Sequence, residues 1–262
     1  MDRPLALAAA VASLGGPRLP AVEWHGTIGS TSDRLKDLAR SGALEWTAVL
    51  ADRQTGGRGR EGRAWQSPPG GLYLSVLLRP LAERAALIPL AAGVAVAEAV
   101  GDFGVSGELK WPNDVLVSGR KLAGILAEAS SGALGVEWVV LGIGVNVALD
   151  PAELPDALRA SVSSLWAEGA RRASREAVAA AVLARLGVWY DALGAHPQRV
   201  VTAWRARAVS WWGGLVDVRT GGAALRGRLI EVDDQGALVI ELPGGARRRL
   251  VSGEVQMLRP AP

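Results

Sequence analysis

Hydrophobic and polar positions along this chain switch repeatedly between an extended and a helical period. Val22–Ile28 and Trp46–Ala51 read as strands, and Leu72–Leu78 is a mostly apolar run of strand length, the pattern of a buried strand. Between the first two, Ser30-Thr31-Ser32 offers helix-capping side chains ahead of Asp33–Arg40, with Gly42 as the stop. Glu83–Val100 reads as a long alanine-rich helix whose Pro89 falls near its first turns, where a missing N–H does least harm. Glu108–Trp111, Val115–Val117 and Lys121–Ala129 form short extended runs parted by Pro112-Asn113-Asp114 and Ser118-Gly119-Arg120 turns. Trp138–Val147 is an apolar strand carrying Gly142 and Gly144, and helices are expected near Ala152–Arg159, Ser174–Leu193 and Pro197–Val209.

From Gly213 the pattern becomes four or five short strands with tight turns at Gly221-Gly222, Asp233-Asp234-Gln235-Gly236 and Pro243-Gly244-Gly245. That pattern suggests a small barrel resembling the SH3 type. The expectation is an α/β (α+β) chain: residues 1–212 with a mixed β-sheet flanked by helices, and residues 213–262 as the barrel. Leu5–Ala12 is mostly alanine behind Asp2-Arg3-Pro4, so it reads as a short amphipathic helix ended by Gly15-Gly16-Pro17 rather than a signal-peptide core. No window approaches the ~18 uncharged apolar residues of a membrane span, and a cytoplasmic location without a membrane partner is expected.

Cysteine is absent, which removes disulfides, thiol catalysis and zinc-finger spacings together. His25 and His196 are the only histidines, so no histidine metal helix exists, and no lysine follows a glycine, so there is no Walker phosphate loop. The basic residues number 29, of which only Lys36, Lys110 and Lys121 are lysine, and the asparagines are Asn113 and Asn146 alone. Residues 199–262 hold 10 basic and 6 acidic side chains, a surplus that suits either a solvated face or an acidic partner.

Gly57-Arg58-Gly59-Arg60-Glu61-Gly62 has the spacing of a dinucleotide-binding turn, but Ser67-Pro68-Pro69-Gly70-Gly71 follows at once and no helix can propagate. A solvated surface loop is the plain alternative. Arg58, Arg60 and Arg63 among glycines, with Trp65 beside them, fit an adaptable clamp for carboxylate or phosphate better. Two of the lysines and Asn113 fall between Lys110 and Lys121, where a compact ammonium can approach a single oxygen; chance clustering is the alternative. Gly124 allows a ligand or backbone to come close. Asp114 on its own reads as a turn cap.

Asp52–Trp65, Lys110-Trp111-Pro112-Asn113-Asp114, Arg120–Glu128 and Gly142-Ile143-Gly144-Val145-Asn146 occur in this order. Together they resemble the biotin protein ligases, over about residue 21 to the C-terminus. The resemblance implies the biotin/lipoate ligase fold and a reaction in which biotin and MgATP give biotinyl-5′-AMP. The acyl group then passes to a lysine on the biotin carboxyl carrier domain of acetyl-CoA or pyruvate carboxylase. It implies Lys121, Arg60 and Asp114 as catalytic residues, and Ser30, Thr31, Gln54, Gly57, Arg58, Lys121 and Gly124 as biotin contacts. Arg58, Arg60, Arg63, Trp65, Lys110, Asn113 and Asn146 would meet ATP or the adenylate, with Trp65 on adenine and Asn146 toward Mg2+. Joining a carboxylate to a triphosphate brings like charges together, which calls for fixed cations and a metal. The mixed anhydride hydrolyses easily, so a closing loop would protect it.

Glu61 departs from the family pattern and is expected to face solvent. About twenty residues precede the first strand, too few for the winged helix-turn-helix that some members carry, so no specific DNA partner is expected. A monomer or ligand-dependent homodimer is expected. The rivals are a lipoate ligase or octanoyl transferase of the same fold, and a basic nucleic-acid-binding module. Residues 213–262 lack Trp, Tyr and Phe for base stacking, which disfavours the module. Trp189, Trp204, Trp211 and Trp212 are expected to pack the joint between the two parts.

Overall fold

The computed structural model describes residues 2–133, 135–150, 153–221 and 223–257. Strands β1 (Val22–Ile28), β2 (Ala48–Gln54), β3 (Gly71–Leu78), β4 (Glu108–Lys110), β5 (Asp114–Val117), β6 (Arg120–Gly132) and β7 (Gly135–Asn146) form one sheet, in the order β1-β2-β3-β7-β6-β5-β4. Only β1 and β2 run parallel, so the sheet is mixed as expected.

Alternation splits each central strand between two faces. Leu72, Leu74, Val76 and Leu78 of β3 and Val139, Leu141, Ile143 and Val145 of β7 pack into the main core. That core is filled from the helical side by α3 (Ile88–Gly101), α5 (Arg175–Ala195) and α6 (Pro197–Ala206). The N-terminal α1 (Arg3–Ser13) lies against α5 and β1, and Arg3 is forked onto Asp52. On the opposite face α2 (Thr31–Arg40) covers a smaller cluster of Leu35, Ala39, Val49, Leu77, Trp138 and Val140.

Several sequence-read boundaries move for identifiable reasons. The stretch from Glu83 begins as a 3-10 turn over Ala82–Leu87, and the α-helix starts with Pro89 in its first turn. Trp46 adopts φ 66° and precedes β2 rather than opening it. The helix read to Val209 stops at Ala206 because the next residues bracket β4: Leu109 N–H donates to Arg207 O and Val209 N–H to Leu109 O. Only Asp156–Arg159 of the expected helix near Ala152 is helical, as α4; Ala152 itself lies outside the described residues. Ala82–Gly101 and Arg175–Ala195 are long and apolar enough to cross a membrane by length and composition, and both are mostly buried here against the sheet and each other.

Five antiparallel strands follow: β8 (Leu215–Thr220), β9 (Ala223–Val232), β10 (Leu238–Glu241), β11 (Arg247–Leu250) and β12 (Glu254–Met257). Gly222, in one expected turn, and residues 258–262 lie outside the described residues. The interior of this small barrel-like sheet, including Val216, Leu238 and Ile240, is continuous with the main core. Trp111 makes the joint, its Nε1–H donating to Gly236 O at 3.0 Å. Of the tryptophans expected there, Trp211 packs partly buried against the shared core. Trp204 is buried beside Gly93 of α3, Trp189 donates to Glu98, and Trp212 is 38 % exposed.

Candidate active site

The part of the sheet that α2 leaves bare forms the floor of a cavity that gathers the motif residues. Along that face of β7 run Trp138, Val140, Gly142, Gly144 and Asn146; the first two pack under α2, and the next two carry no side chain. Gly144 pairs across the sheet with Gly124 of β6 and with Tyr73 of β3. A Cβ on Gly124 or Gly144 would stand 2.7 or 2.6 Å from the Trp65 indole. The close approach that Gly124 permits is therefore made by a side chain of the arginine loop. Gly57 is confined by Ser67 Oγ and Trp65 O, each 2.5 Å from a Cβ there, so its smallness serves the fold of the loop.

The N-terminus of α2 forms one wall. Ser30 caps the helix, its Oγ accepting from Asp33 N–H at 3.3 Å. Thr31 donates its N–H and Oγ1–H to Gln54 Oε1 at 2.9 and 3.0 Å, and Gln54 Nε2 donates to Ser67 Oγ at 3.0 Å. Ser75 Oγ lies 2.8 Å from Thr31 Oγ1 and 3.0 Å from Ser32 Oγ. These polar groups hold one another in place beneath the cavity.

Residues 55–70 form the roof and are more structured than a plain loop: Arg58 and Ala64 form a bridge around a 3-10 turn at Arg60–Gly62. Of the three arginines read as a clamp for carboxylate or phosphate, two are paired with carboxylates of the chain itself. Arg58 is forked to Asp33, and Arg63 donates to Glu254 Oε2 at 2.6 Å. Each partner carboxyl is held below its ordinary range chiefly by that arginine. Arg60 ends on the Gly253 carbonyl at 3.1 Å, and burial pushes its guanidinium below the usual arginine value. Glu61, expected to face solvent, is about half exposed but also lines the cavity, its Oε2 3.6 Å from Arg63.

Lys121 occupies the opposite wall, its Nζ 2.6 Å from Asp114 Oδ1 and 5.2 Å from the centre of the Trp65 ring. Its backbone is held on two sides. It pairs with Leu116 of β5, and an unanticipated extended segment at 161–163 closes two bonds: Lys121 N–H to Ser161 O and Ser163 N–H to Lys121 O. Asn146, only 4 % exposed, donates from Nδ2 to Lys121 O at 3.3 Å and Ser163 O at 3.0 Å. Both acceptors are carbonyls, which fixes the amide orientation and leaves Oδ1 as the atom able to meet a nucleotide or metal. Asn113 Nδ2 is engaged by Ile125 O at 2.6 Å, and Lys110 Nζ lies 5.9 Å from the centre of the Trp211 ring. No cluster of three or more His, Asp or Glu able to hold a metal ion occurs among the described residues.

The cavity encloses about 460 Å³, and every expected site residue except Gly57 lines it. Three groups had not been anticipated: Gly253, Glu254 and Val255 from the barrel, Trp211, and an apolar end made by Leu149, Leu154, Leu158 and Val162. Residues 26–146 match the biotin/lipoate A/B protein ligase family, and residues 216–258 match the biotin protein ligase C-terminal domain. A biotin–[acetyl-CoA-carboxylase] ligase of Mycobacterium tuberculosis is 36 % identical over 245 residues, covering 88 % of this chain and 86 % of its own. The chain belongs to the biotin/lipoate ligase family. This ligase is also 37 % identical to the Paracoccus denitrificans biotin–[acetyl-CoA-carboxylase] ligase, over 79 % of this chain and 88 % of that one. Its fold matches the Aquifex aeolicus biotin protein ligase, solved in complex with biotin and ATP, with a TM-score of 0.78 at 29 % identity. That match covers 92 % of this ligase and 100 % of the Aquifex chain.

Proposed function

We infer that this ligase is a biotin protein ligase that joins biotin to ATP and passes the acyl group to a carrier lysine. The observation that carries the reading is the placement of Lys121, Arg60 and the Trp65-covered glycine floor around one cavity. The match of the barrel to the biotin ligase C-terminal domain and the names of the relatives support biotin over lipoate.

In this reading residues 1–212 carry the chemistry and residues 213–262 complete its roof. Ser30, Thr31 and Gln54 hydrogen-bond the polar ring system of biotin, and Gly124 keeps the floor low. An oxygen of the biotin carboxylate attacks the α-phosphorus of ATP, and the bond to the bridging oxygen of pyrophosphate breaks. Lys121 draws the carboxylate and α-phosphate together, with Asp114 fixing its ammonium. Arg60, already half-desolvated, offsets charge on the phosphates, and Arg63 joins it on leaving Glu254. Trp65 packs against the adenylate, while Lys110 and Asn113 shape the nucleotide wall. Mg2+ carried by ATP would be held mainly by the phosphates and by Asn146 Oδ1, and it would neutralise phosphate charge; a site with few protein oxygens suits that ion. In the second step the carrier lysine amine attacks the acyl carbonyl and AMP departs. The acceptor is the biotin carboxyl carrier domain of acetyl-CoA or pyruvate carboxylase, and the reaction is cytoplasmic.

Biotin-dependent ATP–pyrophosphate exchange tests the reading directly. Exchange with biotin and none with lipoate or octanoate is expected. Exchange driven by lipoate or octanoate alone would move the chain to the lipoate branch, and no exchange with any of them would reject acyl activation.

A further inference from the structure

Lys121 sits where the regular ladders of the large sheet run out. The pairing of β6 with β7 begins at Ala123, opposite Val145, and β7 itself ends at Asn146. On the other side the β5 register shifts between Val115 and Leu116, which pair with Ala123 and Lys121, so Leu122 is the extra residue of a bulge. Toward β7 the Lys121 backbone is therefore held by a borrowed strand: Val162 bridges it in parallel, and the Asn146 amide spans the carbonyls of Lys121 and Ser163.

Glu168 fastens that borrowed strand. Its carboxyl, 16 % exposed, accepts on Oε1 from Arg120 Nη2 at 2.7 Å and from the hydroxyl of Ser163, which is fully buried. A single oxygen thus ties the residue before Lys121 to the residue whose N–H donates to the Lys121 carbonyl. The carboxyl is carried on a closed turn, with Glu168 N–H donating to Ser164 O at 3.0 Å and Ala167 N–H to Ser164 Oγ at 3.3 Å. Bonds to an ionised acceptor are the strong ones, so this clasp runs beside the weaker backbone bridge and stiffens it. Glu168, Ser163 and Arg120 all lie behind the cavity wall rather than in its lining. We propose that Glu168 is a positioning residue for adenylate formation, acting through Ser163 and Arg120 to set the backbone of Lys121. Asp114 steadies the ammonium of the same lysine from the cavity side. The proposal rests on the ligase reading for its consequence and on the clasp geometry for its cause. One ammonium that must meet two anions tolerates little displacement; a shift of about 1 Å can cost about 10²-fold in rate.

The test compares Glu168→Ala, Glu168→Gln and Ser163→Ala in the full chain. The burst of biotinyl-AMP at saturating biotin and ATP gives two quantities: its amplitude counts the folded sites, and its rate constant reads the chemistry at each of them. Saturation removes any change of affinity at the Val162 wall. Glu168→Ala is expected to slow the rate constant about tenfold at the parental amplitude, and Ser163→Ala to slow it in the same direction. Glu168→Gln keeps an oxygen where Oε1 stands and should recover to within about threefold of the parent. Without substrates, hydrogen exchange at the Lys121 and Ser163 amides should speed about tenfold in Glu168→Ala, with the amides of β3 unchanged. A reduced amplitude at the parental rate constant would make Glu168 a residue of stability alone and overturn the proposal. Glu168→Gln as slow as Glu168→Ala would also overturn it, since charge and not the clasp would then matter. Should the parent show no burst, the ligase reading falls, and exchange at the two amides still decides whether the clasp holds Lys121.

Discussion

Lys121 is the side chain whose replacement separates charge from shape. Lys121→Met is expected to lose adenylate formation by on the order of 10²–10³, the loss seen when one donor to a developing anion is removed. Lys121→Arg keeps a cation but offers a broad planar fork where Asp114 fixes a point donor, so it should not restore the rate. Biotin-dependent pyrophosphate release measures both, with thermal melting as the control for folding. Trp65→Ala should weaken adenylate binding by roughly 1–3 kcal/mol, measured by calorimetry, and leave biotin affinity without nucleotide nearly unchanged. Lys121 and Asn146 were legible in the sequence because a chain so poor in lysine and asparagine sets them inside motifs. Glu254 was not, since a single acidic residue in a barrel strand carries no local mark of the arginine it will meet.

Strands and helices are tied together by charges whose acid behaviour can be worked out. The Arg34 guanidinium is the main reason that the Glu23 carboxyl falls from 4.5 to about 2, and this pair joins β1 to α2. A lowered carboxyl contributes stability that is fully present above its unfolded value and is lost as pH falls through the folded one. Glu23→Gln should therefore melt below the parent at pH 6, with the gap closing between about pH 4.5 and 2. A gap that persists unchanged at pH 2 would assign the effect to packing. On β7, Gly144→Ala places a methyl 2.6 Å from the indole of Trp65 and should lift the roof, raising KM for ATP with the melting temperature little changed. The strands were legible as short extended or apolar runs between turn residues, and Gly142 and Gly144 were visible in one of them without disclosing that they floor the site. The bracket of residues 161–163 on Lys121 was hidden, because its pairing partner lies some forty residues earlier in a different element.

Across the whole molecule one hydrophobic core runs from the mixed sheet into the barrel, so both should unfold in a single transition. Gly236 sits at the joint with φ +81°, and a Cβ there would meet Leu87 Cδ2 at 2.9 Å. Gly236→Ala should destabilise the chain by about 1–3 kcal/mol. A lower urea midpoint at unchanged slope would show it; a second transition would instead show that the barrel melts alone. The change of strand pattern at Gly213 made the two parts legible, but their shared core was not, since periodicity reports which face is buried and never against what. The contact of Arg60 with Gly253 has a consequence for synthesis. The floor is translated by Asn146, yet the carbonyl and carboxylate that steady the roof arrive more than a hundred residues later. A nascent chain still on the ribosome therefore lacks its lid supports, and a reactive acyl phosphate has no sheltered place to form until the barrel has been translated.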